Sequence, residues 1–287
     1  MEILGIKFAP LNIPLERRLQ TLVIAIWILV FPFGDFWGYI ITAYLLLYTQ
    51  TLRYFMLLYF LWMYYDWNTC DRGGRRKLYP GLDIRLITLD QHFKIPLFRE
   101  IPYSLGCCAA NAKSIEYLLS TPAKRPYTGR ATILIVGGVS ESMESLPGTY
   151  RIVMKKRKGF VKLALKHGTP LVPVLSFGET DLYNQVYSPE GSTLRRIQNY
   201  IRNVIGLAPV IFSGRGLFQY SFGLIPNRLP VTVVVGRPLE LPKIEKPTAE
   251  QIDEHHKKFM KHLIEFFETQ KYNYIKNAET TTLEIDL

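Results

Sequence analysis

"ILIVGGVSESMESLPGTYRIVMKKRKGFVKLALKHGTPLVPVLSFGE" spans residues 133–179 and decides the fold. It opens as an apolar run that stops on Gly137-Gly138. A polar turn and a basic cluster follow, then a helix-like "GFVKLALKHG", then a second apolar run, "PLVPVLSFG" (170–178). Short apolar runs bounded by Gly or Pro read as buried strands. Strand, helix and strand in succession give an α/β chain, with a mostly parallel sheet covered by helices.

The pattern extends on both sides. "PVTVVVG" (230–236) is a further strand, and "AKSIEYLLS" (112–120) a further helix. "TAEQIDEHHKKFMKHLIEFFETQ" (248–270) is the clearest helix. Thr248 and Gln251 make a capping box, and Ile252, Phe259, Met260, Leu263 and Phe267 line one face. The last dozen residues, "KNAETTTLEIDL", read as a loosely held tail.

Upstream the composition changes. Residues 19–65 form a nearly continuous apolar stretch in which Asp35 and Arg53 are the only charges. Spanning a bilayer takes roughly 20 apolar residues, so about two spans fit, with a turn at Pro32-Phe33-Gly34-Asp35. Arg17 and Arg18 before it, and Arg72, Arg75, Arg76 and Lys77 after it, put both ends on the cytosolic side. The expected organisation is a cytosolic segment 1–18, a transmembrane helical hairpin over 19–66, and a cytosolic domain over 67–287. One long spanning helix, or a hairpin buried in a soluble protein, is the alternative.

The chain has 287 residues and a net charge of +11, which favours anionic partners. Its three cysteines, Cys70, Cys107 and Cys108, offer neither a disulfide framework nor a zinc pattern. No metal site is expected.

Candidate chemistry concentrates in the opening stretch. Gly137 and Gly138 at a strand's carboxyl end let a ligand approach the backbone, and Glu141 beside them can hold a hydroxyl or orient a base. A turn with a solvated acid is the plainer reading. Arg157, Lys158, Gly159 and Phe160 start a helix whose Lys158, Lys162 and Lys166 share a face. A basic, glycine-started helix suits a phosphorylated ligand such as coenzyme A, an anionic membrane surface, or simply solvent. A nucleic-acid patch fits poorly beside a membrane hairpin. His167 and His92 are the two histidines of the α/β body; either is more often structural than catalytic, and His167 is the better candidate base.

Several stretches together resemble the diacylglycerol acyltransferase type 2 family, which includes monoacylglycerol and wax alcohol acyltransferases. They are "FAPLNIPLERRLQTL" (8–22), "DWNTCDRGGRR" (66–76), "VGGVSES" (136–142), "RKGFVKLALKHGTPLVPVLSFGE" (157–179), "FSGRGLFQYSFGLIP" (212–226) and "VTVVVGRPLELPKIEKPT" (231–248). The first and fifth look closest to the monoacylglycerol acyltransferase branch. The resemblance implies a glycerolipid-acyltransferase-like fold and an enzyme of the endoplasmic reticulum membrane, multi-pass, with both termini cytosolic. It implies acyl transfer from acyl-CoA, a co-substrate and not a cofactor, to mono- or diacylglycerol in triacylglycerol synthesis. The lipid bilayer is a partner, homo-oligomers are compatible, and nucleic acid is not a partner. Glu141 and His167 would be the catalytic residues, and Gly137, Gly138, Arg157, Lys158, Gly159 and Phe160 would bind substrate.

The family pattern is interrupted at one place. Members continue from the GGRR turn through a long segment to a His-Pro-His-Gly motif, whose histidine is taken as the general base. Here "DRGGRRKLYPGLDIRLITL" (71–89) passes from that turn straight to the next strand, and no His-Pro-His-Gly occurs in the chain. The join reads as an internal deletion. A catalytically inactive form that binds lipid or a full-length relative is therefore the alternative function.

Overall fold

The computed structural model describes residues 2–3, 5–10, 13–66, 81–123, 125–205 and 209–285. The cluster of Arg72, Arg75, Arg76 and Lys77, the join after it, and Cys70 lie outside the described residues. In chain order the elements are β1 (Glu2–Ile3), β2 (Ile6–Lys7), α1 (Leu15–Tyr48), α2 (Gln50–Tyr65), β3 (Leu82–Thr88), α3 (Glu100–Ser104), β4 (Cys107–Ala109), α4 (Ala112–Ser120) and β5 (Gly129–Ile133). They continue as α5 (Gly138–Ser142), β6 (Tyr150–Ile152), α6 (Gly159–His167), β7 (Val174–Phe177), β8 (Asn184–Gln185), α7 (Thr193–Ile205), β9 (Phe212–Ser213), β10 (Thr232–Val235), α8 (Ala249–Tyr274) and β11 (Leu283–Ile285). The chain divides into two compact units, one of Met1–Ile28 with Val136–Leu287, the other of Leu29–Ile135.

The expected transmembrane hairpin is not what forms. Among the described residues no helix is long and apolar enough to cross a membrane. α1 runs unbroken through Pro32–Asp35, and the break comes instead at Thr49, which is extended. α2 has 16 residues, about 24 Å at 1.5 Å per residue, short of a hydrocarbon core of about 30 Å. α1 is longer but carries Glu16, Arg17 and Arg18 in its first turn and Asp35 near its middle.

Gly34, read as part of a turn, serves close packing, as does Gly38. A Cβ at Gly34 would collide with the Phe98 ring, and one at Gly38 would stand 2.9 Å from the Pro96 carbonyl oxygen. α1 thus admits the 95–98 segment along a glycine groove, an option open only where there is no side chain. Arg53, the other charge of the apolar stretch, donates from Nη2 to the Leu47 carbonyl at 3.1 Å. It therefore satisfies the end of α1, where carbonyls lack helical partners.

In the second unit β4, β3 and β5 form a parallel three-stranded sheet. Ile87, Cys108 and Leu118 pack on one side, Phe93, Cys107 and Ala109 on another. Asp83, 2% exposed, lies between Arg130 at 3.0 Å and Arg85 at 2.9 Å, so the buried carboxylate has two cationic neighbours. Arg99 is 1% exposed and ties α2 to α3. It pairs with Asp66 at 2.7 Å, donates to the Tyr103 hydroxyl at 3.1 Å, and its guanidinium carbon lies 5.3 Å from the Trp62 ring centre.

The first unit has its core on α8. Phe259, Leu263 and Phe267 meet Met154, Leu175, Phe177 and Leu283, which confirms the helix face read from the periodicity. The capping box of Thr248 and Gln251 is present with both bonds. The sheet pieces are mixed: β6 pairs with β11 in parallel, and β7 with β10 antiparallel. Residues 283–285, expected in a loose tail, form β11, with Leu283 buried and Lys271 donating to the Thr281 carbonyl at 3.0 Å. Three residues of TTTLEIDL thus supply a strand too short to stand out as a periodic run.

Candidate active site

The strand expected to run into Gly137-Gly138 lies earlier than the apolar run suggests: β5 is Gly129–Ile133, and Leu134–Val136 lead from it, outside any strand, to α5, whose first turn is made by Gly137 and Gly138. Glu141 folds back over that turn, and a Cβ at Gly137 would strike its carboxylate. Gly138 takes φ +57°, a conformation that glycine accepts without strain. Glu141 Oε2 accepts the Val153 N–H at 3.2 Å, so it holds the end of β6. The predicted group Gly137, Gly138 and Glu141 is thus brought together, with Glu141 engaged to backbone.

β6 ends in the basic turn. Met154 enters the core, and the Arg157 N–H closes the turn on its carbonyl at 2.8 Å. Lys155, Lys156 and Arg157 are exposed. Lys158 is not a free cation: its Nζ lies 2.6 Å from Asp253 of α8. The hydrogen bond from Lys158 holds the Asp253 carboxyl below its ordinary value. Phe160 packs edge-on against His256 and Phe259, with ring centres 6.0 and 5.6 Å apart. Gly159 faces open space where a Cβ would stand, so sterics alone do not demand glycine there.

His167 closes α6, followed by Gly168 in the left-handed conformation that ends helices. Its Nε2 is buried, with no hydrogen-bond partner among the described residues. A buried imidazole nitrogen without a partner is uncommon. His92 stands instead against Phe98 in the other unit, rings 5.5 Å apart.

Sequence reasoning missed a second feature of the first unit. Two stretches quoted above, 8–22 and 212–226, are joined by backbone: the Ala9 N–H donates to Phe218 and the Tyr220 N–H to Lys7, at 2.8 and 2.7 Å. They enclose a cavity of about 960 Å³ that Arg215 and Arg228 also line. Arginines inside an otherwise aromatic and aliphatic stretch were the available signal.

The sequence profile of diacylglycerol acyltransferase matches residues 74–286. Diacylglycerol O-acyltransferase 2 of Dictyostelium discoideum is 34% identical, over 98% of this chain and 100% of its own. 2-Acylglycerol O-acyltransferase 1 of Bos taurus is 35% identical, over 94% and 96%. Diacylglycerol O-acyltransferase 2 of Danio rerio is 43% identical over 73% of this chain and 57% of its own. The Dictyostelium alignment has 336 positions against 287 residues here, so at least 49 positions face no residue of this chain. The zebrafish alignment places 211 positions on 73% of the chain, nearly without gaps. No solved structure matches.

Proposed function

Because the chain belongs to the diacylglycerol acyltransferase family, we infer that it is an acyltransferase carrying a fatty acyl group from acyl-CoA to the hydroxyl of mono- or diacylglycerol, in triacylglycerol synthesis. The observation that carries this reading is the near-complete coverage of both this chain and acylglycerol acyltransferases of similar length.

The acceptor hydroxyl oxygen attacks the thioester carbonyl carbon. The carbon–sulfur bond breaks, and the hydroxyl proton ends on the coenzyme A thiol. Such a step needs a positioned base and donors for the oxyanion. His167 is the base this chain offers, supported by its buried Nε2. Glu141 supports the site by fixing the Gly137-Gly138 turn on Val153. Exposed Arg157, with Lys155 and Lys156, suits the coenzyme A phosphates, while Lys158 and Phe160 hold α6 on α8. Gly159 leaves the mouth of α6 open to a ligand.

Apolar side chains stay exposed along α1 and α2, Leu22 and Leu29 on the first and Leu52, Phe55 and Leu58 on the second among them. A lipid surface, that of the endoplasmic reticulum, is the place where these and the neutral acceptor meet. A second reading has its own observation: the 49 or more missing positions and the absent His-Pro-His-Gly suit a form that binds lipid without turnover.

The test is acyl transfer from labelled acyl-CoA to mono- and diacylglycerol, in membranes from cells making this chain. Activity lost in His167→Ala supports the first reading. Activity that appears only when the relatives' missing segment is restored supports the second.

A further inference from the structure

The cavity between residues 8–22 and 215–228 lies in one unit and has an uneven lining. Phe8, Ile13, Leu22, Leu217 and Phe218 make its walls apolar. Arg17, Arg18, Arg215 and Arg228 bring four guanidinium groups to it, and no aspartate or glutamate lines it among the described residues. Arg215 is 5% exposed, and its Nε donates to the Pro226 carbonyl at 2.9 Å. Arg228 donates from Nη2 to the Thr21 hydroxyl at 3.0 Å. Burial, then the nearby Arg228, pulls Arg215 below its ordinary value, as expected of two cations held together.

Arg215 is buried with no acidic side chain along the described cavity lining, and a buried cation without a counter-charge is costly, so this arginine beside the exposed Arg228 favours an anion. The planar guanidinium fork matches carboxylate and phosphate. A volume of about 960 Å³ is at the upper end of what small-molecule pockets enclose, ample for a chain as well as a head. We propose that this cavity binds one fatty acyl chain with an anionic head, carboxylate or phosphate, the head at Arg215 and Arg228 and the chain along the apolar wall. The proposal concerns binding and does not depend on acyl transfer.

The experiment uses the purified full chain and a palmitate photoprobe with a diazirine in its tail. Cross-linked peptides are located by mass spectrometry, with palmitate, lysophosphatidate and hexadecanol as competitors. Cross-links should fall within residues 8–22 and 215–228. Palmitate or lysophosphatidate should compete, and the stronger of the two identifies the head group. Uncharged hexadecanol should compete at least tenfold less well. Arg228→Gln should lower labelling about tenfold, the scale of a lost charge-assisted hydrogen bond. Ala9→Trp fills the cavity and keeps its charges, so it should lose labelling at an unchanged melting temperature. Cross-links elsewhere, equal competition by hexadecanol, or full labelling of folded Ala9→Trp would each overturn the proposal.

Discussion

Glu141 and Gly137 act as a pair. Gly137→Ala should displace the Glu141 carboxylate and reproduce the effect of Glu141→Ala, because both free the Val153 N–H. Each should lower stability by about 1 kcal/mol, the net worth of a part-buried hydrogen bond, read from thermal melting. Agreement between the two variants is the informative outcome; a neutral Gly137→Ala would sink the pairing. Lys158 offers a second test. Asp253 has its folded value lowered, so its contribution is present above the unfolded value of about 4 and lost as pH falls. Lys158→Met should therefore reduce melting temperature at neutral pH and make no difference in strong acid. The glycines, the acid and the basic run were legible because each is a distinct chemical type beside an apolar strand. The engagement of Lys158 was not, because Asp253 lies 95 positions away in sequence. Arg215 and Arg228 were hidden for a similar reason: only folding brings residues 8–22 against them.

At the scale of elements, helices with an apolar face and a cap were readable, and α4, α6 and α8 fall where the periodicity puts them. Thr248→Ala should cost about 1 kcal/mol, since the capping box satisfies two end donors. α7 carried such a signal unread: "TLRRIQNYIRNVI" places Leu194, Ile197, Ile201 and Val204 at helical spacing, yet Ile197 and Val204 stay exposed and the helix packs partly through polar residues: Arg195 and Gln198 are both buried, the first on Glu144, the second accepting from Ser188. The apolar stretch misled in the opposite direction. Its composition suggests spanning, but where a helix breaks is set by neighbours, and the 95–98 segment fills the glycine groove of α1. Gly34→Ala should destabilise by about 1–3 kcal/mol through overpacking against Phe98. A melting temperature equal to wild type would show that α1 does not pack there. β11 is the other misreading. Leu283→Ala should cost about 2–3 kcal/mol, far more than any substitution in a loose tail, because Leu283 belongs to the α8 core.

For the whole molecule, the α/β class was legible from alternation, and the interruption from a motif that should stand beyond the GGRR turn. The pairing of sheet pieces was not legible, since runs of three or four residues carry no directional information. All three cysteines fall within Leu29–Ile135. Cys107 and Cys108 are thiols buried on β4, and burial pushes the Cys108 thiol up to about 11. A thiol at that value is almost wholly protonated at neutral pH, so it reacts slowly until the strand is exposed. In a Cys70→Ser background, the rate at which a maleimide consumes two thiols then becomes a stopwatch for the exposure of β4.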